Sequence, residues 1–303
     1  MEKLRVALDW TPNTNHTGFF VAQALGYYTE NNLEIELVTP STDHYLLTPA
    51  KRLELQEVDF AVAPIESAIS LNTKLQPVAV KAIAALLQDD LSAIAVLERS
   101  GIQAPRQLDG KTYASYKARY EDDIVRKMIA NDGGTGSISI TYPDKLGIWD
   151  TLLAGQADAT WIFMNWEGIE AETQGIALNY FKLSDYAIPY SYSPVLIARA
   201  DAIEQKRQLY QDFLRATKKG YLYAKENLEH STTILSEFVP EKDRHNIDLL
   251  KSQLYTGRHY GDETTWGRMN LSLVEIFVAW LKTHSSETSS IEAASFCSNE
   301  LLT

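Results

Sequence analysis

The feature that most constrains the fold is an alternation of short strand patterns with short helix patterns, which begins at the first residues. Leu4–Leu8 is a predicted strand, and apolar residues from Thr17 recur at helical spacing until Gly26 ends the pattern. Acidic and apolar residues alternate from 33 to 38, which is strand spacing. A strand–helix–strand order favours a parallel sheet, so the chain opens as an α/β protein.

The alternation continues towards residue 88 and then starts again. Thr48-Pro49 predicts a helix start, and a strand at 58–62 and a helix opened by Pro64 follow. The apolar run 78–87 predicts a central parallel strand, because it lacks a polar face. After Asp89-Asp90 come predicted strands at 92–97, 110–113, 138–141 and 157–163, and helices at 121–130, 146–153 and from about 165.

Two α/β lobes are therefore predicted, with residues 1–88 and 195–303 in one and 89–194 in the other. The length of 303 residues suits two domains. Beyond residue 198 the pattern is helical, and two apolar stripes at helical spacing predict core packing rather than a cofactor site. They run from Leu209 to Tyr221 and through Trp266, Met269, Leu273, Ile276, Phe277 and Trp280.

Composition excludes several classes of partner and chemistry. A formal charge of −12 argues against nucleic acid and against an anionic membrane surface. The single cysteine, Cys297, cannot form an internal disulfide, and no Cys/His cluster has metal-ligand spacing. No nucleophile elbow, phosphate loop or dinucleotide motif occurs, so we expect no catalytic residues, no metal and no cofactor. The histidines at 44, 230, 245, 259 and 284 are predicted to be surface residues.

The sequence carries no apolar run of the roughly 18–20 residues that a membrane span needs. Its start also lacks the apolar core and cleavage site of a signal peptide. Two compartments therefore stay open. The chain is either cytoplasmic or the mature part of an exported protein.

The loop after the first predicted strand is the most informative stretch for binding. Trp10 offers a stacking face, and Asn13, Asn15 and His16 offer donors and acceptors that suit a flat heteroaromatic ligand. The alternative is a turn whose asparagines cap the following helix. The residues alone do not decide between the two.

Further candidate side chains follow other predicted strands. Glu167, with Trp161 before it, could accept two hydrogen bonds from an aminopyrimidine edge, or be a solvated first-turn carboxylate. Arg119 could bind an anionic group, although pairing with residues 121–123 is favoured, and Ser67 could donate a hydrogen bond or cap a helix. The remaining candidates for the ligand site are tyrosines near the lobe boundary: Tyr116, Tyr190 and Tyr192.

Several of these segments resemble one known family. Leu8–Gly18, Gly26–Leu33, Gly110–Tyr113, Trp166-Glu167-Gly168 and Ser298–Leu301 are similar to the thiamine-pyrimidine-precursor family. That family contains the solute-binding proteins of pyrimidine-salvage ABC transporters and the fungal-type hydroxymethylpyrimidine (HMP) phosphate synthases. The resemblance implies a two-lobed periplasmic-binding-protein-like type II fold with the ligand between the lobes.

The resemblance also implies roles. Trp10 would stack on the pyrimidine, Asn13 or Asn15 would bond its edge, and Glu167 would face its amino group. The synthases use a lysine for pyridoxal phosphate and a histidine that the reaction consumes, but the corresponding positions here hold Ala63 and Ser67.

We therefore predict a binding protein for a pyrimidine precursor of the formylaminopyrimidine or HMP type, with an ABC transporter permease left open as a partner. An HMP-phosphate synthase and a binder of another planar or sulfonated solute are the alternatives.

Overall fold

The computed structural model describes residues 1–143, 148–285, 287 and 290–302. The strands are β1 Glu2–Ala7, β2 Leu33–Val38, β3 Phe60–Ala63, β4 Val80–Ala85, β5 Ser92–Leu97, β6 Thr112–Ala114, β7 Ser139–Thr141, β8 Ala159–Phe163, β9 Leu178–Lys182 and β10 Val195–Arg199. The first helices are α1 Thr17–Ala24, α2 Tyr27–Glu30, α3 Pro49–Glu54, α4 Ile65–Thr73, α5 Glu121–Asn131, α6 Ile148–Leu153 and α7 Ile169–Thr173. The later ones are α8 Ala200–Gln205, α9 Arg207–Glu226, α10 Leu228–Ser236, α11 Glu241–Asn246, α12 Leu249–Gly257, α13 Leu271–His284 and α14 Ala293–Phe296.

The chain divides into two compact units. The first comprises residues 1–90, 191–274 and 291–303, and the second 91–190 and 275–290. The sequence prediction placed 275–290 in the first lobe with the other C-terminal helices. These residues group with the second unit because they pack on it: the Phe277 ring lies 5.3 Å from the Tyr190 ring, and Glu287 pairs with Arg119.

The sheet of the first unit has the strand order β2-β1-β3-β10-β4. Strands β1, β2 and β3 run parallel, while β10 runs antiparallel to β3 and β4. The predicted central position of 78–87 is wrong, because β4 pairs with β10 on one side only. Its other side meets isolated bridges from Cys297 to Ala82 and from Gly267 to Ala85, which keep the strand buried.

The sheet of the second unit has the order β7-β6-β8-β5-β9. Strands β6, β7 and β8 are parallel, and β5 is antiparallel to both β8 and β9. Strand β9 has no counterpart in the sequence prediction. The start predicted for α6, residues 146 and 147, lies outside the described residues.

Helices α1 and α9 of the first unit cross closely because glycines lie at the crossing. A Cβ atom at Gly18 would lie 2.0 Å from Cδ2 of Tyr221, and one at Gly220 would lie 2.1 Å from the Gly18 carbonyl oxygen. The absence of both side chains lets the Tyr221 ring lie on the start of α1.

The second apolar stripe, from Trp266 to Trp280, is only partly buried in the hydrophobic core. Trp266 and Met269 are buried but precede α13, whereas Leu273 and Ile276 are 48% and 53% exposed, so their predicted core packing is wrong. The helix starts at Leu271, and these two side chains lie on its outer face. None of the described helices is both long and apolar enough to cross a bilayer.

Candidate functional site

Trp10 lies in the loop that follows β1, at the carboxyl edge of the first unit's sheet. Its ring is half-buried, and its centroid is 5.6 Å from that of the exposed Tyr45 at an angle of 57°. Strand β3 is parallel to β1, and β10 begins opposite the end of β3, with Val195 paired to Ala63. The loops after β1 and β3 and before β10 therefore share one edge, where open α/β sheets bind ligands.

The asparagine and histidine of this loop are buried and bonded within it. Asn13 accepts a hydrogen bond from the backbone N–H of Asn15 at 2.8 Å and so caps the short 3₁₀ helix Thr14–His16. No side chain caps α1 itself, so the predicted capping of the helix that begins at Thr17 is wrong. His16 is fully buried, and its Nδ1 accepts from the backbone N–H of Asn13 at 3.3 Å. The proton therefore sits on Nε2, which donates to Oδ1 of Asp9 at 2.7 Å.

A buried network of hydrogen bonds fixes the loop that carries Trp10. The Thr14 hydroxyl lies 2.9 Å from that of Ser252 and 2.8 Å from that of Thr256, both on α12. The Tyr221 hydroxyl donates to the carbonyl of Asn15 at 2.6 Å. The backbone at residues 14 and 15 is thus fixed by side chains more than 200 positions away.

The other candidates of the first unit lie at the same sheet edge. Ser67 is half-buried in the first turn of α4, and no side chain caps this helix, so the capping alternative for Ser67 is wrong. The carbonyl of Tyr192 accepts from the N–H of Ile65 at 3.1 Å, which joins the loop before β10 to the start of α4. The Tyr192 hydroxyl accepts from the N–H of Asn270 at 2.8 Å.

In the second unit, a buried carboxylate shapes the loop after β6. Glu121 accepts from the Tyr113 hydroxyl at 2.6 Å and from the N–H groups of Tyr116 and Ala118 at 3.0 and 3.2 Å. Burial raises the pKa of Glu121 above its ordinary value, and the three hydrogen bonds oppose this rise. The backbone that presents Tyr116 is held by this one side chain.

Arg119 forms an ion pair with a residue that the sequence prediction did not name. Its Nη2 lies 2.9 Å from Oε2 of Glu287, which is 2% exposed, and the Tyr120 hydroxyl donates to the same oxygen. The Arg119 guanidinium also lies 5.2 Å from the centre of the Tyr120 ring. The favoured pairing of Arg119 with residues 121–123 is therefore wrong, since Glu121 faces the loop backbone instead.

Glu167 lies in a turn of π-helix, Met164–Gly168, directly after β8. It is 7% exposed, so the alternative of a solvated surface carboxylate is wrong. Its Oε2 accepts from the backbone N–H of Phe163 at 2.9 Å, which fixes its orientation. Burial, then the charges of Glu167 and Glu121, raise the pKa of Tyr116 far above its ordinary value. Tyr116 is thus a neutral donor near this carboxylate.

Trp161 and Tyr116 lie on opposite faces of the second unit's sheet. Tyr116 packs on the cluster of Ala93, Ala95 and Ile162, and the neighbouring Trp161 points the other way because side chains alternate along a strand. Trp161 instead contacts Tyr190, with ring centroids 5.4 Å apart at 63°.

The predicted site residues thus form two groups, one in each unit. The first is Trp10, Asn13, Asn15, His16, Ser67 and Tyr192, and the second is Tyr116, Arg119, Trp161, Glu167 and Tyr190. In each unit the loops concerned follow parallel strands, β1 and β3 in the first, β6 and β8 in the second.

Sequence reasoning missed the residues that fasten these loops. Glu121 is the first residue of α5, a position where buried carboxylates are unusual, so the sequence did not mark it as a buried group. Tyr221, Tyr260 and Glu287 act over long sequence separations and give no local signal. Tyr260 resembles Tyr221 in role, because its hydroxyl donates to the carbonyl of Thr14.

No cluster of three metal-ligating side chains occurs among the described residues. The two positions at which the synthases hold a lysine and a histidine do not fit pyridoxal phosphate. Ala63 is buried at the end of β3, and Ser67 lies one turn into α4. The next lysine, Lys74, follows the far end of α4, about 14 Å along the helix, and its Nζ is 2.6 Å from Glu54.

Comparisons with known proteins place the chain in a family. The family described as NMT1/THI5 like matches residues 13–230. A formylaminopyrimidine-binding protein of Halalkalibacterium halodurans is 24% identical over 94% of this chain and 86% of its own length. A 4-amino-5-hydroxymethyl-2-methylpyrimidine phosphate synthase of Legionella pneumophila is 24% identical over 79% of this chain and 74% of its own.

Among solved structures, a Candida albicans protein described as having the generic periplasmic binding protein fold is similar, with a TM-score of 0.68. Its identity is 16%, and the match covers 99% of this chain and 97% of that one. The predicted periplasmic-binding-protein-like fold is thereby confirmed. The family match spans more than half of the sequence and includes the loop of Asn13 and the turn of Glu167, so the chain belongs to the NMT1/THI5-like family.

Proposed function

We propose that the chain is a solute-binding protein for a thiamine pyrimidine precursor of the formylaminopyrimidine or HMP type. The observation that carries the proposal is its similarity, over 94% of its length, to a formylaminopyrimidine-binding protein of the same family. The two groups of predicted site residues support it with chemistry that suits an aminopyrimidine.

Trp10 supports a flat aromatic ligand. Its half-buried indole stands at the carboxyl edge of β1, and Asn13, Thr14 and His16 hold the loop that presents it. A heteroaromatic ring stacked on an indole face gains dispersion and excludes water from both surfaces. Because the loop is fastened before the ligand arrives, little ordering entropy is lost on binding.

Glu167 supports an amino group next to a ring nitrogen. A carboxylate is an acceptor with two oxygens, and an aminopyrimidine can present an exocyclic N–H donor to it. The bond from the Phe163 N–H fixes the orientation of the carboxylate, and its burial strengthens any hydrogen bond made to it. Tyr116, kept neutral by its raised pKa, offers a hydroxyl donor in the same unit.

We do not propose HMP-phosphate synthase activity for this chain. The amine that would hold pyridoxal phosphate is replaced by the methyl group of Ala63, and a hydroxyl stands at Ser67. The one histidine of the Trp10 loop, His16, is fully buried and bonded through both ring nitrogens. A histidine consumed by a reaction needs access to its co-reactants.

A binding protein of this kind delivers its ligand to a membrane transporter, so we propose an ABC transporter permease as the partner. The proposal of a permease partner rests on the proposal of a small-molecule ligand.

Isothermal titration calorimetry of the purified chain tests the ligand. Formylaminopyrimidine and HMP are titrated beside riboflavin, nitrate and taurine. We expect one pyrimidine to bind with a stoichiometry of one and the other three compounds to give no heat of binding. Binding of taurine or nitrate without binding of either pyrimidine would replace the proposal with that of a sulfonate or anion binder.

A second measurement addresses catalysis. The chain is incubated with pyridoxal phosphate and iron(II), and its absorbance and its mass are followed. We expect no aldimine band and an unchanged histidine content. A band that one lysine substitution abolishes, together with loss of a histidine in the mass spectrum, would identify an enzyme.

A further inference from the structure

The loop between β2 and α3, residues 39–48, leaves the first unit's sheet beside the loop that carries Trp10. Strand β2 is parallel to β1, with Val38 paired to Ala7, and the N–H of Leu8 donates to the carbonyl of Val38 at 2.9 Å. The two strands therefore end together at the carboxyl edge of the sheet, where open α/β sheets bind ligands. No residue of 39–48 is among the predicted ligand-binding residues, although the loop shares this edge with them.

Tyr45, in this loop, contacts Trp10 through its ring. The two ring centres are 5.6 Å apart and the ring planes make an angle of 57°. The rings thus form a corner rather than a closed stack. Tyr45 is 50% exposed and Trp10 is half-buried, so both rings keep aromatic surface that a flat molecule can reach.

The backbone of the loop is held in an uncommon conformation. The angle φ is 56° at His44 and 65° at Tyr45, in the left-handed region that residues other than glycine seldom adopt. Asp43 fixes this conformation, because its Oδ2 accepts from the N–H of Leu47 at 3.0 Å and lies 2.6 Å from Nη2 of the buried Arg52. Strain of this kind persists only where the surrounding structure holds it, and it is concentrated at ligand-binding and active sites.

The folded chain gains little from the Tyr45 ring in return for this strain, because half of the side chain stays in water. A ligand that covers the ring would add the missing burial. Burial, then the charge of Asp243, raises the pKa of Tyr45 above its ordinary value, so the phenol is neutral at physiological pH. A neutral aromatic ring suits contact with a neutral heteroaromatic molecule.

We propose that Tyr45 is a second aromatic residue of the ligand site and contacts the pyrimidine directly. The ligand stacks on Trp10, and the ring of Tyr45 packs against it from the side. This inference rests on the proposed function, because it requires a flat heteroaromatic ligand at the Trp10 loop.

Calorimetry with formylaminopyrimidine and HMP tests the contact. Tyr45→Ala should lower the affinity about fivefold to tenfold, the scale of one lost aromatic contact, whereas Tyr45→Phe should stay within about twofold of wild type because it keeps the ring. Leu46→Ala is the control, since it shortens the next side chain of the same loop, which is 80% exposed, and it should leave the affinity unchanged. Circular dichroism checks that each variant is folded.

A double variant separates direct contact from an effect through Trp10. In the Trp10→Ala background, Tyr45→Ala should lower the affinity again, by about twofold or more, because a ring that contacts the ligand acts without its neighbour. A tyrosine that only holds Trp10 in place would cause no further loss. Ligand-detected NMR extends the measurement to weak affinities.

The outcomes distinguish this inference from the proposed function. Pyrimidine binding by wild type with an unchanged affinity in Tyr45→Ala, an equal loss in Leu46→Ala or Tyr45→Phe, or no further loss in the double variant would overturn the role of Tyr45 alone. If riboflavin binds in place of the pyrimidines, the proposed function fails and the same variants are measured with riboflavin. Binding of no flat heteroaromatic compound by wild type would overturn both.

Discussion

The ring of Tyr221 occupies the space in which a side chain at Gly18 would stand, with Cδ2 2.0 Å from the position of a Cβ atom. The same tyrosine donates its hydroxyl to the carbonyl of Asn15, in the loop that carries Trp10. The helix crossing and the proposed ligand loop are therefore linked through one side chain.

Gly18→Ala should lower the free energy of unfolding by about 1–3 kcal/mol, the usual cost of forcing an added methyl group into a packed core. Urea unfolding followed by tryptophan fluorescence measures the change. Gly257→Ala is the control, since a Cβ there has no neighbour closer than 3.7 Å, and it should be neutral or stabilising by up to about 1 kcal/mol. Equal effects of the two substitutions would contradict the role given to the crossing.

Trp10→Ala should weaken pyrimidine binding by about 1–3 kcal/mol, the range for loss of one aromatic–base stack. Trp10→Phe, which keeps a smaller ring, should lose less. Calorimetry with formylaminopyrimidine or HMP measures both. Tyr180→Ala removes an aromatic ring that is 48% exposed on β9, and it should leave the affinity unchanged.

Glu167→Gln should reduce the affinity for the pyrimidine about tenfold or more, because it replaces a charged acceptor by a neutral one. The amide oxygen can still accept from the N–H of Phe163, so we expect a small change in melting temperature. Glu172→Gln removes a charge from an exposed position of α7 and is the matched control. An unchanged affinity in Glu167→Gln would place the ligand's amino group elsewhere.

Glu121 should make stability depend on pH. Burial raises its pKa in the folded chain, so the folded state retains this proton to a higher pH than the unfolded state. The stabilisation is present below the ordinary carboxyl pKa of about 4.3 and is lost as pH rises through the raised value. Each unit of difference between the two pKa values corresponds to about 1.4 kcal/mol.

The substitution Glu121→Gln removes that titration. From about pH 4 to pH 7, the difference in unfolding free energy should therefore move in favour of the variant, although the variant also alters the hydrogen bonds that Glu121 accepts from Tyr113, Tyr116 and Ala118. Asp123→Asn changes a carboxylate in the same helical turn and is the control. A parallel pH dependence of wild type and Glu121→Gln would show that this carboxyl does not titrate between the two states.

The strands that the sequence predicted well are those whose own residues encode their environment. Leu33–Val38 alternates apolar and acidic residues, and Ser92–Leu97 is a short apolar run buried on both faces. Leu178–Lys182 has neither pattern, and its strand conformation depends on pairing with β5. Such tertiary support leaves no signature in a local window.

The same distinction between local and long-range signals applies to the residues of the candidate site. Trp10 and Glu167 could be proposed as site residues because each lies in the segment that follows a strand, a position that is visible in the sequence. The partners that hold the loops were not predicted, because Tyr120 and Glu287 are 167 positions apart and Tyr260 and Thr14 are 246 apart. Arg119 was assigned to neighbouring carboxylates for the same reason.

The bridges along β4 have a consequence for shortened versions of the chain. The N–H of Ser298 donates to the carbonyl of Ala82 at 2.9 Å, and Cys297 lies beside the same residue. Removal of residues 291–302 would leave an apolar strand with unsatisfied backbone groups along its outer side. Such a strand is a template on which a second molecule adds its own strand, so a chain truncated at residue 290 should aggregate edge to edge.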